Sequence, residues 1–208
     1  MAAISIITPW HNCHELIPTY ARTVAGAEVI IVDNGSDDHT SAQLRFMLDD
    51  LNGRYWRNDE NAQYATANNQ GMSVATGDIL VFLNNDVEAP NNWLQMVARD
   101  VKDGALYGPR KLTRLVAGQS LDYLEGFCIA ATRATWDQLG GWDAKAFEGM
   151  YWEDNDVCFR AQQMGIELIE TNWPLWHFGN YTSQHTEGAY DSSATNYETF
   201  ARRVREAT

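Results

Sequence analysis

The sequence predicts an α/β domain with a mostly parallel central sheet flanked by helices. Two observations carry that expectation. Short β-branched runs alternate with helical patterns through the N-terminal part of the chain, the signature of repeated strand–helix–strand units. The run Ile79-Leu80-Val81-Phe82-Leu83 is continuously apolar, as a strand covered on both faces must be. Taken in order, the strands read AISIITPW, EVIIVDNGS, a weaker RYWRND and a strong DILVFLNND. Between them lie an HELIPTYART segment, a helix in SAQLRFMLDD, and a helix in AQYATANNQGMSVATG that Gly77 is expected to end.

Beyond Pro90 the alternation decays. A helix in NNWLQMVARDVKDG precedes ALYGPRKLTR, and a strand-like GFCIAATR leads into a helix stopped by Gly140 and Gly141. Another helix follows YWEDNDVCFR, then a short strand IELIETN, PLWHFGNYTS and a polar C-terminal segment with weak helical character in NYETFARRVRE. The RRVRE run reads as a solvated helix face. No repeat or low-complexity linker divides the chain, so residues 1–208 are expected to form a single domain.

Composition narrows the function. The 208 residues suffice for one well-buried domain, and 45% hydrophobic with 21% charged residues is a globular balance. A net charge of −13 disfavours a large phosphate-backbone interface, so nucleic acid is not the expected partner. An acidic protein binds a phosphorylated ligand when a divalent cation mediates, which makes the carboxylates the residues to follow. Cys13, Cys128 and Cys158 have no CxxC spacing and are odd in number; reduced, buried thiols are expected. AISIITPW lacks a basic leader and no apolar run reaches membrane-span length, so a cytoplasmic location without a membrane span is expected.

In helix-flanked parallel sheets the ligand sits beyond the carboxyl ends of the strands. Here those ends carry Thr8, Pro9, Trp10, His11 and Asn12; Asp33, Asn34, Gly35 and Ser36; and Asn84, Asn85 and Asp86. DNGSDD is equally an ordinary turn with a helix cap. Asp86 is harder to explain structurally, since an acid ending a buried strand needs a cation or an N–H cradle.

The stretch YWEDNDVCFR places Glu153, Asp154 and Asp156 within four positions. Val157, Ala161 and Met164 recur at helical spacing and Gly165 supplies a stop, so a helix starts here with Asp154 or its neighbour as cap. Asp156 and Arg160 are spaced for an i, i+4 ion pair. That reading leaves Glu153 and Asp154 together unexplained.

The order of SIITPWHN, VIIVDNGSDD, ANNQG, TGDILVFLNNDVE, GFCIAATRATWDQLGGWD and YWEDNDVCFR resembles the inverting glycosyltransferases of family 2, which have the GT-A fold. LNND in place of the commoner DxD resembles the rhamnosyltransferase-like branch. The resemblance implies a nucleotide-sugar-binding part over about 1–90, an acceptor and catalytic part over about 91–180, and a helical tail from about 184. It also implies a UDP-, dTDP- or GDP-sugar donor, a glycan or other hydroxyl acceptor, and Mn2+ or Mg2+ as cofactor.

Residue by residue, the resemblance puts Thr8, Pro9, Asp33, Asn69 and Asn85 around the nucleotide, with Asn61 and Asn68 on the same wall. Asp33 would accept hydrogen bonds from base or ribose. Asp86 would hold the metal, Asn84 would stand where many relatives have a first aspartate, and His177 would complete the metal shell or touch the diphosphate. An amide is a neutral ligand, so this departure bears on metal affinity and choice. Asp154 takes the position of the catalytic base, with Glu153 supporting it. Gly126, Trp142 and Trp152 stand as acceptor or sugar contacts, both tryptophans equally readable as core.

Sugar-phosphate nucleotidylyltransferases are a poor match, because TPWHNCHE offers neither a glycine nor a lysine to cradle a triphosphate. A non-catalytic nucleotide-sugar or carbohydrate-binding module would need no base, and the Glu153-Asp154 pair weighs against it. Transfer to a modified nucleic-acid base is disfavoured by the acidic balance.

Overall fold

The structure is a computed structural model and describes residues 2–179, 181 and 191–207. The elements in chain order are β1 (Ile4–Trp10), α1 (Ile17–Val24), β2 (Glu28–Asn34), α2 (Asp38–Leu51), β3 (Arg54–Asn58), α3 (Tyr64–Val74) and β4 (Ile79–Leu83). There follow β5 (Val87–Glu88), α4 (Trp93–Asp100), β6 (Ala105–Gly108), β7 (Lys111–Val116), β8 (Gln119–Leu124), β9 (Cys128–Thr132) and α5 (Arg133–Leu139). The last are α6 (Glu153–Gln163), β10 (Glu167–Glu170), β11 (Trp176–His177) and α7 (Ser193–Glu206).

Seven strands form one sheet in the order β10-β6-β9-β4-β1-β2-β3. All neighbouring pairs are parallel except those made by β9, which runs antiparallel to β4 and to β6. The sheet is therefore mostly parallel, as expected. Strand alternation sends successive residues to opposite faces. Ile6, Ile31 and Val81 pack with Tyr20, Leu44 and Trp93 on one side, while Ile7, Ile30, Leu80 and Phe82 pack with Trp136, Leu139 and Val157 on the other. A third cluster joins Phe147 and Phe159 to Phe200, Ala201 and Val204 of α7.

Several expectations shift. The helix expected to end at Gly77 stops at Val74, and Gly77 instead passes so close to β1 that a Cβ would lie 2.6 Å from Ser5 Oγ and 2.7 Å from Ser5 N. The KLTR region belongs to an unforeseen hairpin, β7–β8, turned at Ala117 and Gly118, whose φ values are 50° and 83°. A two-stranded pair β5–β11 sets Trp176 and His177 against Glu88 and Val87. Residues 184–190 of the expected tail lie outside the described residues, and its helix runs from Ser193 to Glu206. The RRVRE run is no solvated face throughout: Val204 is buried and Arg203 turns inward to Asp143 and Asp156. All three cysteines are buried and unbridged. Among the described residues no helix is long and apolar enough to cross a membrane.

Candidate active site

The strands β1, β2, β3 and β4 run the same way, so their carboxyl ends share one edge of the sheet. Because β9 runs against them, its amino end, preceded by Gly126 and Phe127, lies on that edge too.

Asp86 and His177 meet there. Asp86 is 2% exposed, and its Oδ1 lies 3.1 Å from His177 Nε2. Neither atom makes a hydrogen bond of acceptable geometry, although both are buried. An aspartate oxygen and an imidazole nitrogen at that separation form an ion pair when the ring is protonated, and with the ring neutral they suit neighbouring ligands of one cation. The other Asp86 oxygen accepts a hydrogen bond from Tyr181 N at 3.1 Å, and the His177 ring stacks on Phe127 at 4.5 Å and 13°. Among the described residues no group of three or more His, Cys, Asp or Glu side chains is placed to hold a metal.

The second centre is the start of α6. Its N-cap is Trp152 in the left-handed region (φ 77°), not Asp154, and no side chain caps the helix. Asp154 instead faces the sheet edge. Its Oδ2 accepts from Gly126 N at 3.1 Å, and its Oδ1 accepts from Asn155 N at 2.8 Å and Asn155 Nδ2 at 2.7 Å. Gly126 permits this approach, because a Cβ there would stand 3.1 Å from Asp154 Cβ. Burial pushes the Asp154 carboxyl above the usual range, against the opposing pull of Asn155, Gly126 and Arg114. Glu153 is 6% exposed with an orphaned Oε1, and burial, reinforced by Asp154 and Asp156, raises it to about 8. At neutral pH the adjacent pair therefore carries less than two charges. Asp156 makes the expected ion pair with Arg160 at 2.8 Å.

Phe127 connects the two centres. Its carbonyl accepts from Asn84 N at 2.9 Å, its ring supports His177, and its neighbour Gly126 touches Asp154.

The nucleotide wall is less open than expected, and alternation explains why. Asp33 points to the α2 side, is 0% exposed, and accepts from Ser36 N at 2.8 Å, Ser41 Oγ at 2.6 Å, the Tyr55 hydroxyl and Arg57 Nη1 at 2.8 Å. Burial raises its carboxyl, but the hydrogen bonds from Ser41, Tyr55 and Ser36 outweigh it and hold the group below the usual range. Asp33 is thus already engaged by four protein donors. Thr8 is likewise 0% exposed, sharing a hydrogen bond with the Tyr20 hydroxyl, and Asn68 is 0% exposed within α3. Asn69 clamps Trp142: its Oδ1 accepts from Trp142 N at 2.9 Å and its Nδ2 donates to Trp142 O at 2.8 Å. Trp142 is core, 3% exposed among Tyr64, Phe82 and Trp136, and offers no free face to a sugar. Trp152 is half-buried against Tyr197 and Phe200 with Arg114 over its ring at 4.7 Å. Pro9 and Asn84 are half-buried, Asn85 is buried, and exposed Asn61 accepts from Gln63 N at the start of α3.

Residues not singled out as site candidates also line this edge. Asn34, one position after Asp33 and therefore on the other face, accepts from Asn58 Nδ2 at 2.8 Å, and its carbonyl meets His11 Nδ1 at 2.8 Å. Tyr64 donates to Gly126 O at 2.9 Å, fixing the glycine that receives Asp154. Applying the strand-end rule to β3 would have found Asn58; nothing in the sequence marks Tyr64.

A single helix-flanked sheet with its polar edge formed by strand ends is the GT-A architecture of nucleotide-sugar-dependent glycosyltransferases. The profile described as glycosyl transferase family 2 matches residues 5–116, more than half of the chain, and the protein belongs to that family. The pre-mycofactocin glycosyltransferase of Mycobacterium tuberculosis (strain CDC 1551 / Oshkosh) is 25% identical over 199 residues, covering 79% of this chain and 40% of the relative. Glycosyltransferase GlyG of Streptococcus pneumoniae serotype 4 is 28% identical over 108 residues, covering 48% of this chain and 35% of the relative. The chain thus spans less than half the length of these curated relatives. The mannosyltransferase PcManGT from Pyrobaculum calidifontis, solved with GDP-Man and Mn2+, superposes with TM-score 0.66 at 20% identity, covering 82% of this chain and 55% of that one. GalNAc-T7, solved with UDP, GalNAc and Mn2+, gives 0.74 at 15% identity, covering 95% and 47%. At such identities the structures establish the fold.

Proposed function

We propose that the protein is an inverting glycosyltransferase that moves a hexosyl or deoxyhexosyl group from a nucleoside-diphosphate sugar to an acceptor hydroxyl, with cation assistance and Asp154 as general base. The observation that carries this reading is the juxtaposition through Phe127 of the Asp86–His177 pair with the half-buried carboxylate of Asp154. Solved relatives in fold hold GDP-Man or UDP with Mn2+, which supports a nucleotide-sugar donor and a divalent cation here. Asp86 and His177 would hold Mn2+ or Mg2+, which when bound neutralises charge on the departing diphosphate.

In the reaction the acceptor oxygen attacks the anomeric carbon opposite the leaving diphosphate and must lose its proton as the bond forms. Asp154 receives that proton; a positioned carboxylate is worth typically about 10^2- to 10^4-fold. Its raised proton affinity makes it a better base than an exposed aspartate. Glu153, largely protonated below about pH 8, keeps a second full charge out of the same pocket and so supports Asp154. Gly126 and Tyr64 fix the base relative to the sheet edge. The LNND motif carries the rhamnosyltransferase-like reading, and buried reduced thiols suit a reducing compartment such as the cytoplasm.

A non-catalytic sugar-binding module is favoured by one observation, the neutral Asn84 where a second carboxylate would strengthen a cation site. Calorimetric titration with UDP, dTDP and GDP, each with Mn2+, with Mg2+ and with EDTA, separates the readings. Cation-dependent binding of one nucleotide, followed by transfer from its sugar, is expected. Binding of sugars without any nucleotide binding would put the module first.

A further inference from the structure

The loop that delivers the acidic pair is held from outside the sheet by the C-terminal helix. Residues 149–152 run through the left-handed region three times, with φ of 78° at Gly149 and 77° at both Tyr151 and Trp152. Left-handed backbone at bulky residues persists only when its surroundings over-determine it. Those surroundings come from α7. Asn196 is 2% exposed, and its Nδ2 faces three loop carbonyls: Glu148 O at 2.8 Å, Tyr151 O at 3.1 Å and Met150 O at 3.3 Å. Just before the helix, Ser192 Oγ accepts from Met150 N at 3.2 Å. At the far end, Arg203 donates to Asp143 Oδ2 at 2.7 Å and to Asp156 Oδ1, tying the segment before the loop to the first turn after it. Asp156 is 1% exposed and is also gripped by Arg160, whose other nitrogens bind Leu139 O and Gly141 O at 2.8 Å each. Trp152 completes the clamp by packing on Tyr197 and Phe200.

We infer that Asn196 and Arg203 are positioning residues for transfer: α7 sets the strained 149–152 loop so that Asp154 meets Gly126 in register. This rests on the assignment of Asp154 as the base. It also gives α7, which lies outside the residues matched by the family profile, a role in the reaction. Asn196 acts through donors rather than bulk. Asn196→Asp preserves size but sets a carboxylate against three carbonyl oxygens, and Ser192→Ala is a milder lesion at the same loop.

The deciding experiment is hydrogen exchange by mass spectrometry on the whole chain with Asn196→Asp and Ser192→Ala. It is paired with UDP, dTDP and GDP titration in Mn2+ and with steady-state kinetics on the sugar of whichever nucleotide binds. Faster exchange confined to residues 148–156 is expected, with β1–β4 unchanged. kcat should fall about 10- to 100-fold for Asn196→Asp and less for Ser192→Ala, with nucleotide affinity unchanged, since an ångström of misplacement costs on that order. Wild-type exchange in 148–156 for both variants overturns the inference, as does a loss spread evenly over sheet and loop. If Asn196→Asp does not fold, Ser192→Ala decides by the same criteria. Asp154→Asn in the same assay keeps the two ideas apart: transfer surviving that change removes the base assignment, whereas transfer lost there but intact in Asn196→Asp removes only the clamp.

Discussion

Two acidic stations on this protein are both withdrawn from water and have opposite characters. Asp33 sits at the end of β2 with Ser36, Ser41, Tyr55 and Arg57 donating to it, and its carboxyl is held below the usual range. Glu153 and Asp154 sit at the start of α6, Glu153 with an orphaned oxygen and Asp154 held by Gly126 and Asn155, and burial pushes both proton affinities up. A satisfied buried acid stabilises a turn and has nothing left to offer a ligand. A pair whose charged forms are disfavoured by burial costs stability and holds proton affinity in reserve, the character that the proposed role of Asp154 requires.

The contrast can be broken most forcefully at Asp154. Asp154→Asn is expected to lower transfer by about 10^2-fold or more while nucleotide titration stays as in the wild type. Next comes Asp86→Ala, which should abolish the difference between Mn2+ and EDTA in nucleotide titration; equal affinity in both media for the wild type would remove Asp86 and His177 from the cation. Asp33→Asn should cost about 2–3 kcal/mol in denaturant unfolding, because Arg57 and two hydroxyls lose their common acceptor. A pH trend sharpens the comparison further. Glu153 moves from an ordinary 4.5 to about 8 on folding, so the folded state keeps a proton that the unfolded chain releases between those values. The contribution of Glu153 to stability therefore falls as pH rises from about 4.5 to 8 and levels off above, by a few kcal/mol in all at about 1.4 kcal/mol per unit. Glu153→Gln should match the wild type near pH 4.5 and gain on it steadily up to pH 8 in thermal melts; a constant offset across that range would contradict the burial argument.

The parallel half was legible in the sequence because its signals are local: apolar runs and polar strand ends at β1, β2 and β4. In the second half α4, β9, α5, α6 and β10 were legible for the same reason, whereas β6, the β7–β8 hairpin and the β5–β11 pair were not, because they are set by partners distant in the chain. At the strand ends the residue types gather on one edge, but the face is a matter of parity. Asp33 and Asn34 are adjacent, yet one is spent on α2 and the other faces Asn58. Likewise Trp142 and Trp152 read alike as aromatics beside a motif, and only packing separates a core ring from a loop anchor. Arg203 looked solvated because its partners, Asp143 and Asp156, lie 60 and 47 positions away.

The most direct test measures turnover and melting temperature together for Asp154→Asn and Asp33→Asn. The two should separate: Asp154→Asn melts no lower than the wild type and has lost transfer, while Asp33→Asn melts several degrees lower and keeps the turnover of its folded fraction. Transfer retained in Asp154→Asn, or lost in folded Asp33→Asn, would contradict the division of labour between the two stations.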